Sequence, residues 1–88
     1  MAKELPVPIE VQQDPKSVEI IRVWIANGDQ HFSIATDVWE SPEAWGILLV
    51  DLANHISHSY VRGDIDKYSN VLKAIKQGFE VEWDSPTN

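Results

Sequence analysis

The feature that most constrains this chain is Asn27-Gly28, set between two strand-like runs, Val18–Ala26 and Asp29–Thr36. Asn-Gly is the preferred pair of a two-residue type I′ turn, because both positions need positive φ. Val18–Ala26 (VEIIRVWIA) is rich in β-branched residues and holds Trp24, which suits a pleated surface. A two-residue loop fixes the register. Ala26 should face Asp29, Trp24 should face His31, Val23 should face Phe32, and Ile21 should face Ile34. One face then carries Ile21, Val23, Ile25, Phe32 and Ile34 and reads as core. The other carries Ile20, Arg22, Trp24, His31, Ser33 and Ala35 and is mixed. A slip of one residue would exchange the two faces.

The flanking segments complete an α+β pattern. Val7, Ile9 and Val11 alternate with Pro8, Glu10 and Gln12, a period-two pattern expected to form an edge strand, since proline cannot donate to a ladder. Asp14-Pro15-Lys16-Ser17 is a turn signal. Ser41-Pro42-Glu43 is a helix start, with serine at the N-cap and proline at the first helical position. That helix should run to about Val61, with a stripe of Trp45, Leu48, Leu49, Leu52, Ile56 and Tyr60 at spacings of three and four. It should stop at Arg62-Gly63. Asp64 should cap a second helix from Ile65 to Phe79 or Trp83, with Ile65, Tyr68, Val71, Leu72, Ile75 and Phe79 as its stripe. The expected fold is a three-stranded antiparallel sheet, an edge strand plus the hairpin, packed against two C-terminal helices in the order β-β-β-α-α. The 88 residues should make one domain, with loose tails at residues 1–5 and 84–88.

Charge and residue usage exclude several classes. The 7 Lys+Arg against 14 Asp+Glu give a formal net charge of -7. The basic residues form no cluster, which argues against nucleic acid and against anionic membranes. No apolar run approaches the ~20 residues that span a bilayer, and the N-terminus lacks the apolar stretch of a secretory signal. Without cysteine there is no disulfide framework and no thiolate chemistry. A cytoplasmic location follows as the expectation.

The candidates for chemistry are few. Asp51, His55 and His58 are spaced i, i+4, i+7 on the first long helix, and two histidines with a carboxylate form a metal-ligand set. The spacing is not HExxH, and an i, i+4 pair of Asp51 with His55 on a solvated flank accounts for the same residues. No GxSxG elbow surrounds a serine, and the four glycines are isolated, so no phosphate loop exists. Asp37 and Glu40 precede a helix start, where acids are favoured anyway. Arg62-Gly63-Asp64 matches an adhesion tripeptide and reads better as a helix stop and restart. Trp39, Trp45 and Trp83 suit core packing more readily than a ligand cage.

Trp39-Glu-Ser-Pro-Glu-Ala-Trp-Gly-Ile-Leu-Leu-Val-Asp-Leu-Ala-Asn-His55, with Arg22-Val-Trp before it and Gly78-Phe79 … Trp83, Ser85-Pro86 after it, resembles a family of short uncharacterised bacterial proteins. They are mainly alphaproteobacterial and consist of a domain of unknown function. The resemblance runs from about Val18 onward. It implies a small bacterial domain and carries no activity or functional residue with it.

Apolar groups remain without a place in this expected packing. Ile47, Val50 and Val61 lie roughly opposite the Trp45 stripe at ~100° per residue, and Ile20, Trp24 and His31 lie on the mixed sheet face. Together they form the candidate interaction surface. The functional expectation is a non-enzymatic interaction module without a cofactor, self-associating as a homodimer or binding another protein. The alternative is a metal- or small-molecule-binding protein using Asp51, His55 and His58.

Overall fold

The structure, a computed structural model, describes residues 3–86. The element order is α1 (Ile9–Gln13), β1 (Ile21–Ala26), β2 (Asp29–Ile34), α2 (Glu43–Val61) and α3 (Ile65–Asp84). These fall into two compact units, one ending at Glu40 and one beginning at Ser41.

In the first unit the hairpin forms in the expected register. Ala26 pairs with Asp29, Trp24 with His31, Val23 with Phe32 and Ile21 with Ile34. Asn27 and Gly28 take φ of 53° and 77°, the two positive values that a type I′ turn requires. One further bond, Ala35 N–H to the Ile20 carbonyl at 2.9 Å, prolongs the ladder.

Among the described residues the expected third strand does not form, and the sheet has two strands. Residues 9–13 form one helical turn instead. Pro8 sits at φ -57°, a value that suits a helix start, and its carbonyl accepts from Val11 N–H at 3.1 Å and Gln12 N–H at 3.2 Å. Asp14 is extended before Pro15, as the proline ring demands of its predecessor, and the turn ends there. Side chains tie the segment to itself. Gln12 Nε2 donates to the Val7 carbonyl at 2.9 Å, Ser17 Oγ donates to the Val11 carbonyl at 3.0 Å, and Asp14 Oδ1 accepts from Lys16 N–H at 2.9 Å. Six residues of alternating polarity cannot distinguish a strand from a turn whose bonds close locally.

The expected core face of the hairpin is also corrected. On that face Val23, Ile25, Phe32 and Ile34 are 52%, 80%, 55% and 53% exposed and Ile21 is half-buried; on the other face Ile20, Trp24 and Ala35 are half-buried.

The second unit is an antiparallel helical hairpin. α2 ends where expected, with Arg62 at φ 49° and Gly63 at φ 96°, and Arg62 N–H bonds to the His58 carbonyl at 3.3 Å. Asp64 then caps α3, its Oδ1 accepting from Asp66 N–H at 3.1 Å and Lys67 N–H at 3.2 Å. α3 runs through Gly78 to Asp84, one residue past the later of the two expected stops. Its last residue lies in the stretch expected to be a loose tail; residues 1, 2, 87 and 88 of the expected tails lie outside the described residues.

At the start of α2, Ser41 does not cap as expected. Its Oγ donates to the Glu43 carboxylate, and α2 has no side-chain bond at its N-cap. The opening turn closes instead through backbone bonds from Ala44 N–H to the Ser41 carbonyl at 3.1 Å and Trp45 N–H to the Pro42 carbonyl at 3.0 Å.

The residues that α2 turns toward α3 are not the expected stripe. Ser57 and Val61 are the buried residues of α2, and Ala53 and Asn54 are half-buried. On α3 the half-buried set is Tyr68, Val71, Leu72 and Ile75, matching the middle of its expected stripe, while Ile65 and Phe79 are exposed. Small side chains on α2 explain the choice, because they let two helix axes approach closely while a longer α3 residue fills the groove. Ser57 is fully buried without cost in unpaired polarity, since its Oγ donates to the Ala53 carbonyl at 2.8 Å. Tyr68 Oη donates to Asn54 Oδ1 across the helix pair. The His58 and Tyr68 rings stack with centroids 4.4 Å apart and an interplanar angle of 21°.

Candidate interaction surface

With Ser57 and Val61 facing α3, one set of large apolar residues of α2 faces the other way, while Trp45 and Leu48 are half-buried. At about 100° per residue, Leu49, Leu52, Ile56 and Tyr60 fall within an arc of about 80° centred about 130° from the Asn54, Ser57, Val61 side. All four are exposed, from Ile56 at 39% to Tyr60 at 73%. They form a continuous row along most of the helix. α2 contains two acids, Glu43 and Asp51, and no lysine or arginine. Neither acid lies on the row.

The residues expected to form the surface are dispersed. Val61 is buried at 8% exposure and contributes no outer surface. Ile47 and Val50 are exposed, on the side of α2 that carries Asn54 and Ser57 rather than on the Leu52 row. Ile20 and Trp24 are half-buried on the hairpin, and His31 is exposed with Nε2 3.2 Å from the Ala26 carbonyl. The Leu49, Leu52, Ile56, Tyr60 row was legible as a periodic stripe, but its role was assigned to the core. Ser57 and Asn54, which decide which side of α2 meets α3, gave no apolar signal at all.

Asp51, His55 and His58 lie on the flank between the two sides of α2. Asp51 and His55 are exposed, and His58 stacks on Tyr68. Among the described residues no group of three or more His, Asp or Glu is placed to hold a metal ion. No helix among them is long and apolar enough to cross a membrane.

Open depressions among the described residues include two of note. One, of about 480 Å³, is lined by Phe79, Glu82, Trp83 and Pro86; the Phe79 and Trp83 rings stack there at 5.5 Å. The other, of about 260 Å³, lies along Glu19–Arg22 and Ser33–Ala35 of the hairpin. Beside it Arg22 Nε bonds to Glu19 Oε2 at 2.6 Å, and this contact holds the guanidinium pKa above its ordinary value. Both side chains are about half exposed, so solvent screening leaves the pair little weight in stability. The Ser41 hydroxyl, followed by Glu43's own backbone N–H, holds the Glu43 carboxyl below the ordinary carboxylate range.

A family model described as "Domain of unknown function (DUF5076)" matches residues 4–87. The chain belongs to this family. The match spans both compact units, so the DUF5076 pattern includes the hairpin as well as the helices. Among solved structures the chain is similar to one described as "a putative pyruvate dehydrogenase from the photosynthetic bacterium Rhodopseudomonas palustrus CGA009", at 32% identity and a TM-score of 0.75. The similarity covers 100% of this chain and 90% of that one. No curated protein matches this DUF5076 chain.

Proposed function

We propose that this DUF5076 protein is a small non-enzymatic interaction module that works as a self-associated assembly. One observation carries the reading: α2 holds an uncharged apolar row exposed along most of its length, on a chain that otherwise carries a net charge of -7. Large apolar surface on a small acidic protein is characteristic of a surface that another protein covers. A cytoplasmic setting without nucleic-acid or membrane partners belongs to the same proposal, supported by the acid excess, which repels phosphates. A bacterial origin is supported by the Rhodopseudomonas relative. The activity in that relative's description is not transferred to this chain.

The test is the mass of the purified chain in solution, by light scattering or sedimentation across a concentration series. A mass of two chains, falling toward one on dilution, is expected. A single-chain mass at every concentration overturns the reading.

A further inference from the structure

We propose that Asn27 is a self-modification site: when the hairpin opens, the Gly28 backbone nitrogen attacks the Asn27 side-chain amide and the residue becomes isoaspartate, and the closed turn holds that reaction off.

The chemistry needs only solvent. The Gly28 nitrogen forms a bond to Asn27 Cγ, the Cγ–Nδ2 bond breaks, and Nδ2 leaves as ammonia with the proton from Gly28. A five-membered imide remains. Water then adds to one of its two carbonyls and reopens the ring. Addition at the main-chain carbonyl leaves the backbone running through the side chain, as isoaspartate; addition at the other gives aspartate. Nothing is oxidised or reduced. Glycine permits the step because no Cβ shields its nitrogen. At Gly28 an added Cβ would meet nothing within 4 Å, and both Asn27 and Gly28 are exposed.

The closed turn forbids the attack. Asn27 and Gly28 take φ of 53° and 77°, and a type I′ turn holds ψ of its first central residue at about 30°. At that ψ the Gly28 nitrogen lies nearly trans to Asn27 Cβ across the Cα–C bond, whereas ring closure needs the two nearly eclipsed. The pair that builds the turn is therefore labile, and the turn it builds postpones the reaction. Two ties keep it closed: Ala26 pairs with Asp29, and His31 Nε2 bonds to the Ala26 carbonyl at 3.2 Å. The gate is weak. Among the described residues the sheet has two strands, and a lone two-stranded hairpin is only marginally stable in water.

The change runs one way. Isoaspartate adds a backbone carbon to a loop whose geometry suits two ordinary residues, so the pairing of Ala26 with Asp29 and the register beyond it are lost. It also adds one negative charge to a chain already at -7.

The test incubates the full chain beside a synthetic peptide spanning Trp24 to His31, at mildly alkaline pH, and maps the products by digestion and mass spectrometry. The peptide should form isoaspartate at position 27 first. The folded chain should do so about tenfold more slowly, as for a site competent in about a tenth of the molecules. Urea should close that gap, and His31→Ala should narrow it; if His31→Ala does not fold, the urea series decides. Asn54 and Asn70, followed by His55 and Val71, should keep their amides. In the modified chain the cross-strand proton contacts between Trp24 and His31 should vanish from NMR spectra. Equal rates for chain and peptide in buffer overturn the gate. A folded chain with no isoaspartate at position 27 long after the peptide is spent overturns the site. Conversion of Asn54 or Asn70 at the same rate takes the chemistry away from Gly28, and a modified chain that keeps its Trp24 to His31 contacts overturns the structural consequence.

Discussion

Ser57 is the most informative position in the helical hairpin, because two substitutions there separate its size from its hydrogen bond. The residue has no exposed surface, and its hydroxyl donates to the Ala53 carbonyl at 2.8 Å. That carbonyl also serves the helix ladder, so Ser57→Ala leaves no acceptor stranded. The lost bond costs about 1 kcal/mol, and alanine's better helix propensity returns about 0.5 kcal/mol. The net loss should be about 0.5 kcal/mol. Ser57→Leu keeps the residue helical but forces added carbon atoms into a site that α3 already closes. Overpacking of that kind costs about 1–3 kcal/mol. In a domain of this size each kcal/mol moves Tm by about 4–8 °C, so the leucine variant should melt about 4–24 °C lower. The assay is thermal and urea unfolding followed by circular dichroism, run at one fixed protein concentration because association raises Tm. Equal stability of Ser57→Leu and wild type would mean that α3 does not lie on Ser57, and the facing assigned to α2 would fail with it.

Three further outcomes follow from the geometry. Asp64→Ala removes the side-chain acceptor of two backbone N–H groups at the start of α3 and should cost about 1 kcal/mol, read from the urea midpoint at unchanged slope; no loss would refute the cap. Tyr68→Phe and Asn54→Ala should each destabilise, and their double-mutant cycle should give a coupling of about 0.5–1.5 kcal/mol; additive losses would show that the Tyr68 to Asn54 bond is not formed. In Ser41→Ala the Glu43 carboxyl should titrate at higher pH than in wild type, as followed by NMR. The folded-state pKa is depressed in wild type, so its stabilisation is present above the unfolded-state value and lost as pH falls through the folded one. The difference between the two proteins should therefore vanish in acid and appear as pH rises past the ordinary carboxylate range; an unshifted Glu43 titration would contradict it.

The local signals in the sequence were read correctly where the physics is local. Asn27-Gly28 set both the turn and the register, because positive φ at two successive positions admits few residue pairs. Asp64 set the start of α3, and Arg62-Gly63 set the end of α2. The failures had other causes. Val7, Ile9 and Val11 looked like a strand, but Pro8 presets a helical turn and no neighbouring strand claims their backbone groups. Ser41 has the identity of an N-cap, but its hydroxyl is turned to donate to the Glu43 carboxylate two residues away instead of accepting from the backbone.

What this sequence determined alone was the hairpin turn, the end of α2 and the start of α3, since left-handed turn positions and an aspartate cap depend on a few adjacent residues. Which sides meet was decided by the tertiary structure. Periodicity marks a row such as Leu49, Leu52, Ile56 and Tyr60 as apolar, but it does not name the row's partner. α3 instead took the side of Ala53, Asn54, Ser57 and Val61, because close approach between helices depends on small volume and satisfied polar groups as well as on apolar area. The hydrophobic row was left exposed, and the candidate function rests on that exposure.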